Sequence, residues 1–89
     1  MTSMQIGIFL EVAETLSFSK TAEKFYTTQP TISRQIKMLE DEWGILLFKR
    51  NRREVHLTEE GRAMVKVCEK NRKALNVVLE KCKQSSNMA

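Results

Sequence analysis

Thr27 and Thr28 are all that separates two stretches that both read as helix, and so short a link leaves few folds open. Upstream, Lys20 to Tyr26 places Ala22 and Phe25 on one side and follows Ser19, whose hydroxyl suits it as an N-cap. Downstream, Ile32, Ile36, Leu39 and Trp43 recur at steps of four and three along residues 29 to 43. Thr28 is the N-cap candidate there, and Pro30 falls in the first turn, where a missing N–H costs nothing. Gly44 closes the helix. A short helix, a tight turn and a longer helix make a helix-turn-helix unit.

The flanks complete a small domain. Ile6, Phe9, Leu10, Ala13 and Leu16 lie on one helical face, which predicts a helix over residues 4 to 16 that Gly7 weakens only slightly; Ser17-Phe18-Ser19 then breaks the pattern. After Gly44, residues 45 to 48 are apolar, residues 49 to 54 hold a basic cluster, and Val55, His56 and Leu57 alternate as a half-buried strand does. A two-stranded hairpin follows, Leu46 to Lys49 with Glu54 to Leu57, and Arg50 to Arg53 at its tip. Thr58 caps a last helix, with Glu59 and Glu60 in the first turn complementing its dipole, and that helix runs to about Lys83. A chain of 89 residues has room for one modest core. The expected fold is mainly α: a winged helix-turn-helix of three helices plus a two-stranded β wing over residues 1–58. A long dimerisation helix over 59–84 and a polar tail over 85–89 come after it.

Charge narrows the class of partner. There are 15 basic and 11 acidic residues, a net charge of +4, an excess that suits nucleic acid and an anionic membrane equally. Placement is more telling than size: Lys49, Arg50, Arg52 and Arg53 put four cations into five residues, with only Glu54 beside them as a counter-charge. A wing lying along a phosphate backbone, with one Arg in a narrow minor groove, makes use of such a cluster; a merely solvated charge run is the plainer alternative. On the longer helix, the core positions Ile32 and Ile36 leave Gln29, Thr31, Ser33, Arg34 and Lys37 on the open sides. Gln can pair with adenine, Arg with guanine, and Ser or Thr with base or phosphate. The helix N-terminus adds N–H groups for a phosphate. An ordinary solvated helix face has the same composition.

The order of residues adds a resemblance. Phe9, Val12-Ala13-Glu14, Ser17-Phe18, Ala22, Gln29-Pro30, Ser33-Arg34-Gln35-Ile36, Leu39-Glu40 and Gly44 form its first part; Leu47-Phe48, Arg50, Arg53, Val55, Leu57-Thr58-Glu59 and Gly61 complete it. Over residues 6 to 61 the chain resembles the DNA-binding domain of LysR-type transcriptional regulators. The resemblance implies that Gln29, Pro30, Ser33 and Arg34 touch base edges or nearby sugar-phosphate, and that Thr28 and Lys37 hold phosphates. It makes Arg53 the wing residue of the minor groove, with Arg50 and Arg52 nearer the phosphates or supporting the wing. Five positions depart from the usual pattern: Thr27 replaces an aliphatic residue, Thr31 an Ala, Trp43 a Leu, Leu46 a Pro and Arg52 a Gly.

In the last helix Met64, Cys68, Asn71, Leu75, Val78 and Cys82 follow alternating steps of four and three, a heptad seam with one polar position. Its Met64 end can pack on its own domain, but its far end outruns any core so small a domain offers. A second copy of the same helix is the simplest partner, as in the linker helix the family resemblance implies; a lone solvated helix is the alternative. Cys68 and Cys82 stand about 21 Å apart on one helix, beyond disulfide reach, and read as small apolar residues in a reducing compartment. The single histidine, His56, has no metal-ligand spacing around it and reads as a surface residue or a phosphate contact. No acid-base pair or phosphate-cradling Gly loop supports catalysis, and neither a metal nor another cofactor is implied.

No apolar run is long enough to span a bilayer and no signal peptide opens the chain, so no membrane role is expected and the cytoplasm is the expected compartment. LysR-type regulators usually carry a larger C-terminal effector-binding domain, absent from this chain. The expected function is sequence-specific binding of double-stranded DNA by a homodimer acting in transcription. The alternative is a winged-helix module whose exposed helix binds an acidic protein, which salt-dependent binding to duplex DNA distinguishes.

Overall fold

The computed structural model describes the backbone of residues 1–87 and the side chains of residues 1–82. Helix α1 spans Ser3–Thr15 and starts one residue before the periodicity suggests, because Thr2 and Gln5 cap it reciprocally. The Gln5 N–H donates to Thr2 Oγ1 and the Thr2 N–H to Gln5 Oε1, both at 3.1 Å. Leu16 ends the helix in the left-handed region, φ 53°, its N–H donating to the Val12 carbonyl.

Helix α2, Phe18–Lys24, corrects the expected boundary. Its N-cap is Ser17, not Ser19: Ser17 is extended and its Oγ accepts from the Lys20 N–H at 3.1 Å. Phe18 therefore lies inside the helix and buries its ring, where residue order alone suggested a break. The helix also stops short of Tyr26, which takes φ 54°, so the turn runs from Phe25 to Thr28 rather than over two threonines. Helix α3 is Gln29–Trp43 as expected, closed by Gly44 at φ 69°, a conformation that favours glycine.

Strands β1, Phe48–Arg50, and β2, Val55–Leu57, pair antiparallel with Phe48 opposite Leu57, Lys49 opposite His56 and Arg50 opposite Val55. Both strands are shorter than expected, and Arg50 belongs to β1 rather than to the tip. The turn is Asn51 to Glu54, which Asn51 builds: its N–H donates to the Glu54 carbonyl, and its Oδ1 accepts from the Arg53 and Glu54 N–H groups at 2.9 and 2.7 Å. Arg52 replaces the family's glycine without strain, since Leu16 and Tyr26 are the positive-φ non-glycine residues among those described.

Helix α4 is Glu59–Asn87. Thr58 caps it, its Oγ1 accepting from the Gly61 N–H at 2.9 Å and bonding the Leu46 carbonyl. A side chain at Gly61 would run into the Leu47 carbonyl oxygen, so glycine lets this first turn sit against the backbone leading into β1. The helix passes the expected end near Lys83, taking in residues 85–87 of the expected polar tail; residues 88–89 of that tail lie outside the described residues.

The core joins all these pieces. Ile8, Phe9 and Val12 of α1 meet Ile32, Ile36 and Leu39 of α3, with Phe18 and Ala22 of α2, Leu47, Phe48 and, from α4, Cys68. Phe9 packs edge-on against Trp43 and Phe48, and Phe48 against Phe18, with ring centroids 5.8 to 6.1 Å apart. Each large apolar side chain buried here contributes about 1.5–3 kcal/mol. Glu40 locks the wing to α3, its carboxylate accepting from the Leu47 N–H at 2.8 Å. Among the described residues no helix is long and apolar enough to cross a membrane.

Candidate nucleic-acid interface

Three buried residues, Ile32, Ile36 and Leu39, fix which way α3 faces. Gln29, Pro30, Thr31, Arg34 and Lys37 are then exposed, Ser33 is half-buried, and Thr28 stands exposed at the N-cap. Thr28 has the extended backbone of a cap, yet its side chain makes no capping bond. Its hydroxyl meets that of Thr31 at 2.9 Å instead. One hydroxyl hydrogen lies between the two oxygens, and the other remains to donate outward. The first turn thus keeps its own N–H groups free for an anion.

The wing presents Lys49, Arg50, Arg52 and Arg53, all exposed. Glu54, the expected counter-charge, pairs instead with His56 Nε2 at 2.8 Å. None of the four cations forms an ion pair among the described residues. Arg50 has a different partner: its guanidinium carbon lies 3.9 Å from the Phe18 ring centroid, a cation–π contact that ties β1 to α2. The neighbouring Ser19 reaches the other way, its hydroxyl donating to Gln29 Oε1 at 3.3 Å. Consecutive residues on one turn of α2 therefore hold the base of the wing and the start of α3. The two positively biased surfaces, far apart in sequence, share one support.

Sequence reasoning missed Asn51 and the tertiary roles of Glu40 and of Ser19, which it took for a helix cap. Asn51 carried a usable signal, an asparagine at a turn. Glu40 and Ser19 act across tertiary contacts that no local pattern encodes.

The expected seam of α4 divides. Met64 is half-buried against the core and Cys68 is buried in it, so both pack on their own domain. Asn71, Leu75, Val78 and Cys82 are exposed. A groove of about 530 Å³ runs beside this line, with Ile6 and Trp43 on one wall and Met64, Cys68, Asn71 and Leu75 on the other. Burial raises the Cys68 thiol above its ordinary pKa of 9.0, which keeps it protonated and unreactive.

A family model of bacterial regulatory helix-turn-helix proteins, lysR family, matches residues 4–62. The chain belongs to the LysR family. An uncharacterized HTH-type transcriptional regulator of Azotobacter vinelandii is 42% identical in an alignment of 83 positions that covers 85% of this chain and 58% of that protein. The HTH-type transcriptional activator AllS of Klebsiella pneumoniae is 57% identical over 53 residues, 60% of this chain and 20% of its own length. This LysR-family chain thus spans less than two thirds of either relative. Its relatives are transcriptional regulators, not enzymes. The BenM DBD in its complex with catB site 1 DNA superposes with a TM-score of 0.89 at 34% identity, covering 97% of both chains. The CbnR DBD of a DNA complex gives 0.90 at 26% identity, covering 97% of this chain and 99% of that one. The four helices and two-stranded wing are therefore the winged helix-turn-helix DNA-binding domain of a LysR-type regulator.

Proposed function

We propose that this domain reads duplex DNA in a sequence-specific way and as a homodimer, with α3 in the major groove and the wing in the minor groove. The observation that carries the reading is the shared support at Phe18 and Ser19, which sets four cations without an ion pair among the described residues and the polar start of α3 as one surface. Gln29, Pro30, Thr31, Ser33 and Arg34 face bases or nearby sugars, Thr28 and Lys37 hold phosphates, and Arg53 enters the minor groove. Arg50, stacked on Phe18, steadies the wing, and Arg52 lies along the backbone.

Residues 1–58 form the binding domain, and 59–84 link and dimerise it. The dimer surface is the exposed line Asn71, Leu75, Val78 and Cys82 together with Leu79, which shares its face, and the groove that continues it. A second copy is the occupant because the groove and the exposed helix are continuous, so one copy's distal α4 supplies the apolar surface the other lacks.

Selection of sites from random duplexes tests the reading. Gln29→Ala and Arg34→Ala should each relax one position of the selected motif, at a cost of about 1–3 kcal/mol for a paired base contact. Lys37→Ala should weaken all duplexes alike and flatten the salt slope by about one unit. Arg53→Ala should leave the core motif and remove a preference for A·T-rich flanks. An unchanged motif in both helix variants would refute the placement of the reading surface.

A further inference from the structure

Gln29 is not a free amide. A glutamine reads adenine with both ends, the oxygen accepting from N6–H and the nitrogen donating to N7. Here Oε1 already accepts from the Ser19 hydroxyl, a contact made from α2 to α3 across ten residues. Its orientation is set by the packing of two helices rather than by α3 itself. That bond uses one of the two lone pairs of Oε1 and holds the oxygen on the α2 side, while Nε2 keeps both of its N–H donors. Such a group matches a base edge that offers acceptors: N7 and O6 of guanine, or O4 of thymine. Pairing with adenine would require the same oxygen to serve Ser19 and N6–H at once, or to give Ser19 up.

We propose that Ser19 is a specificity-determining positioning residue, which holds Gln29 Oε1 and so favours donation from Nε2, shifting its preference from adenine toward guanine or thymine. The inference rests on α3 being the base-reading helix, and it revises what residue type alone suggests for Gln29. The same device recurs on the far flank of α3 in a purely structural role. There the Thr2 N–H, which can only donate, fixes Gln5 Oε1, and Gln5 Nε2 then donates to Gln35 Oε1 at 2.9 Å. Both glutamines of α3 thus have their oxygens held by a neighbouring helix, and Gln29 is the exposed one.

The experiment is site selection from random duplexes by the whole chain and its Gln29→Ala, Ser19→Ala and Ser19→Thr forms. Relative affinities are then measured on duplexes that vary only at the position Gln29→Ala relaxes. The parent should prefer guanine or thymine there. Ser19→Ala should move the preference toward adenine by on the order of fivefold, while Ser19→Thr, which keeps the hydroxyl, should behave as the parent. A ratio between duplexes does not depend on the fraction of folded protein, so a merely destabilised variant cannot mimic the shift. A parent preference for adenine, or an unaltered ratio in Ser19→Ala, would overturn the positioning role and leave the base-reading role standing. If Gln29→Ala relaxed no position at all, the base-reading role and this inference would both fall.

Discussion

The two halves of α4 carry the same apolar repeat and meet different surroundings. Up to Cys68, which is 7% exposed, the helix belongs to its own domain; by Leu75, which is 55% exposed, it has left that domain behind. Four-and-three spacing specifies a face but not what covers it. The distinction lies in geometry. Gly61 lets the first turn press on the backbone before β1, and Met64 and Cys68 then reach the core formed by α1 and α3. The helix continues while the domain ends, giving a molecule 55 Å in its longest dimension and 27 Å in the next.

Introducing a charge at each end of the repeat is the strongest way to break this comparison. Cys68→Asp places a carboxylate in the core with no partner and should cost about 3–5 kcal/mol of domain stability. Cys82→Asp, made where the side chain is exposed, should change the unfolding free energy of the dilute chain by less than about 0.5 kcal/mol. Urea unfolding measures both. Equal costs would mean that the far half is as much a part of the fold as the near half.

A charge midway tests the proposed partner. Leu75→Asp should raise the dimer dissociation constant at least about tenfold, or 1.4 kcal/mol, because the charge would be buried unpaired at the seam. Its circular dichroism should remain that of the folded domain. Met64→Ala should lose about 2 kcal/mol of stability from a half-buried packing site and, at the groove wall, weaken dimerisation less than Leu75→Asp does. Sedimentation equilibrium at micromolar concentration reads the first effect, and a strictly monomeric parent would sink the dimer.

The same distinction explains what was legible in the sequence. Helices α1 and α3 and the start of α4 follow from apolar spacing and from local caps such as Gly44 and Thr58, whose capping bonds close within a few residues. The start of α2 was misjudged because Ser17 and Ser19 are equally good caps on paper. Burial of the Phe18 ring against Phe48 fits only the earlier start. The wing was placed correctly but its strands were drawn too long, since the turn depends on three hydrogen bonds of Asn51 rather than on the run of cations. The proposed reading surface is visible in the sequence only as residue types on α3. Its coupling to the wing through Phe18 and Ser19 is not, because tertiary contacts between elements leave no period to find.

The smallest expected effect is chemical and needs no substitution. An alkylating reagent attacks the thiolate, and burial holds Cys68 protonated by raising its pKa above 9.0. Cys68 should therefore label far more slowly than Cys82, and more slowly still as a second copy fills the groove it lines. Cys82 is open to reagent in the single chain and should label quickly when dilute, then slow as concentration rises and a second copy covers it. The pH dependence has a definite sign. In the unfolded chain the Cys68 thiol ionises near its ordinary pKa, whereas in the fold it resists. The stability associated with the neutral buried thiol is thus complete below pH 9.0 and declines as the pH rises beyond it. Replacing Cys68 with Ala should remove that alkaline decline, and replacing Cys82 should leave it unchanged. Mass spectrometry of timed labelling, at two concentrations and on either side of pH 9.0, resolves the two sites. Protection that rises with concentration at Cys82 but not at Cys68 would show that the second copy covers the exposed half of α4 and leaves the groove beside Cys68 open.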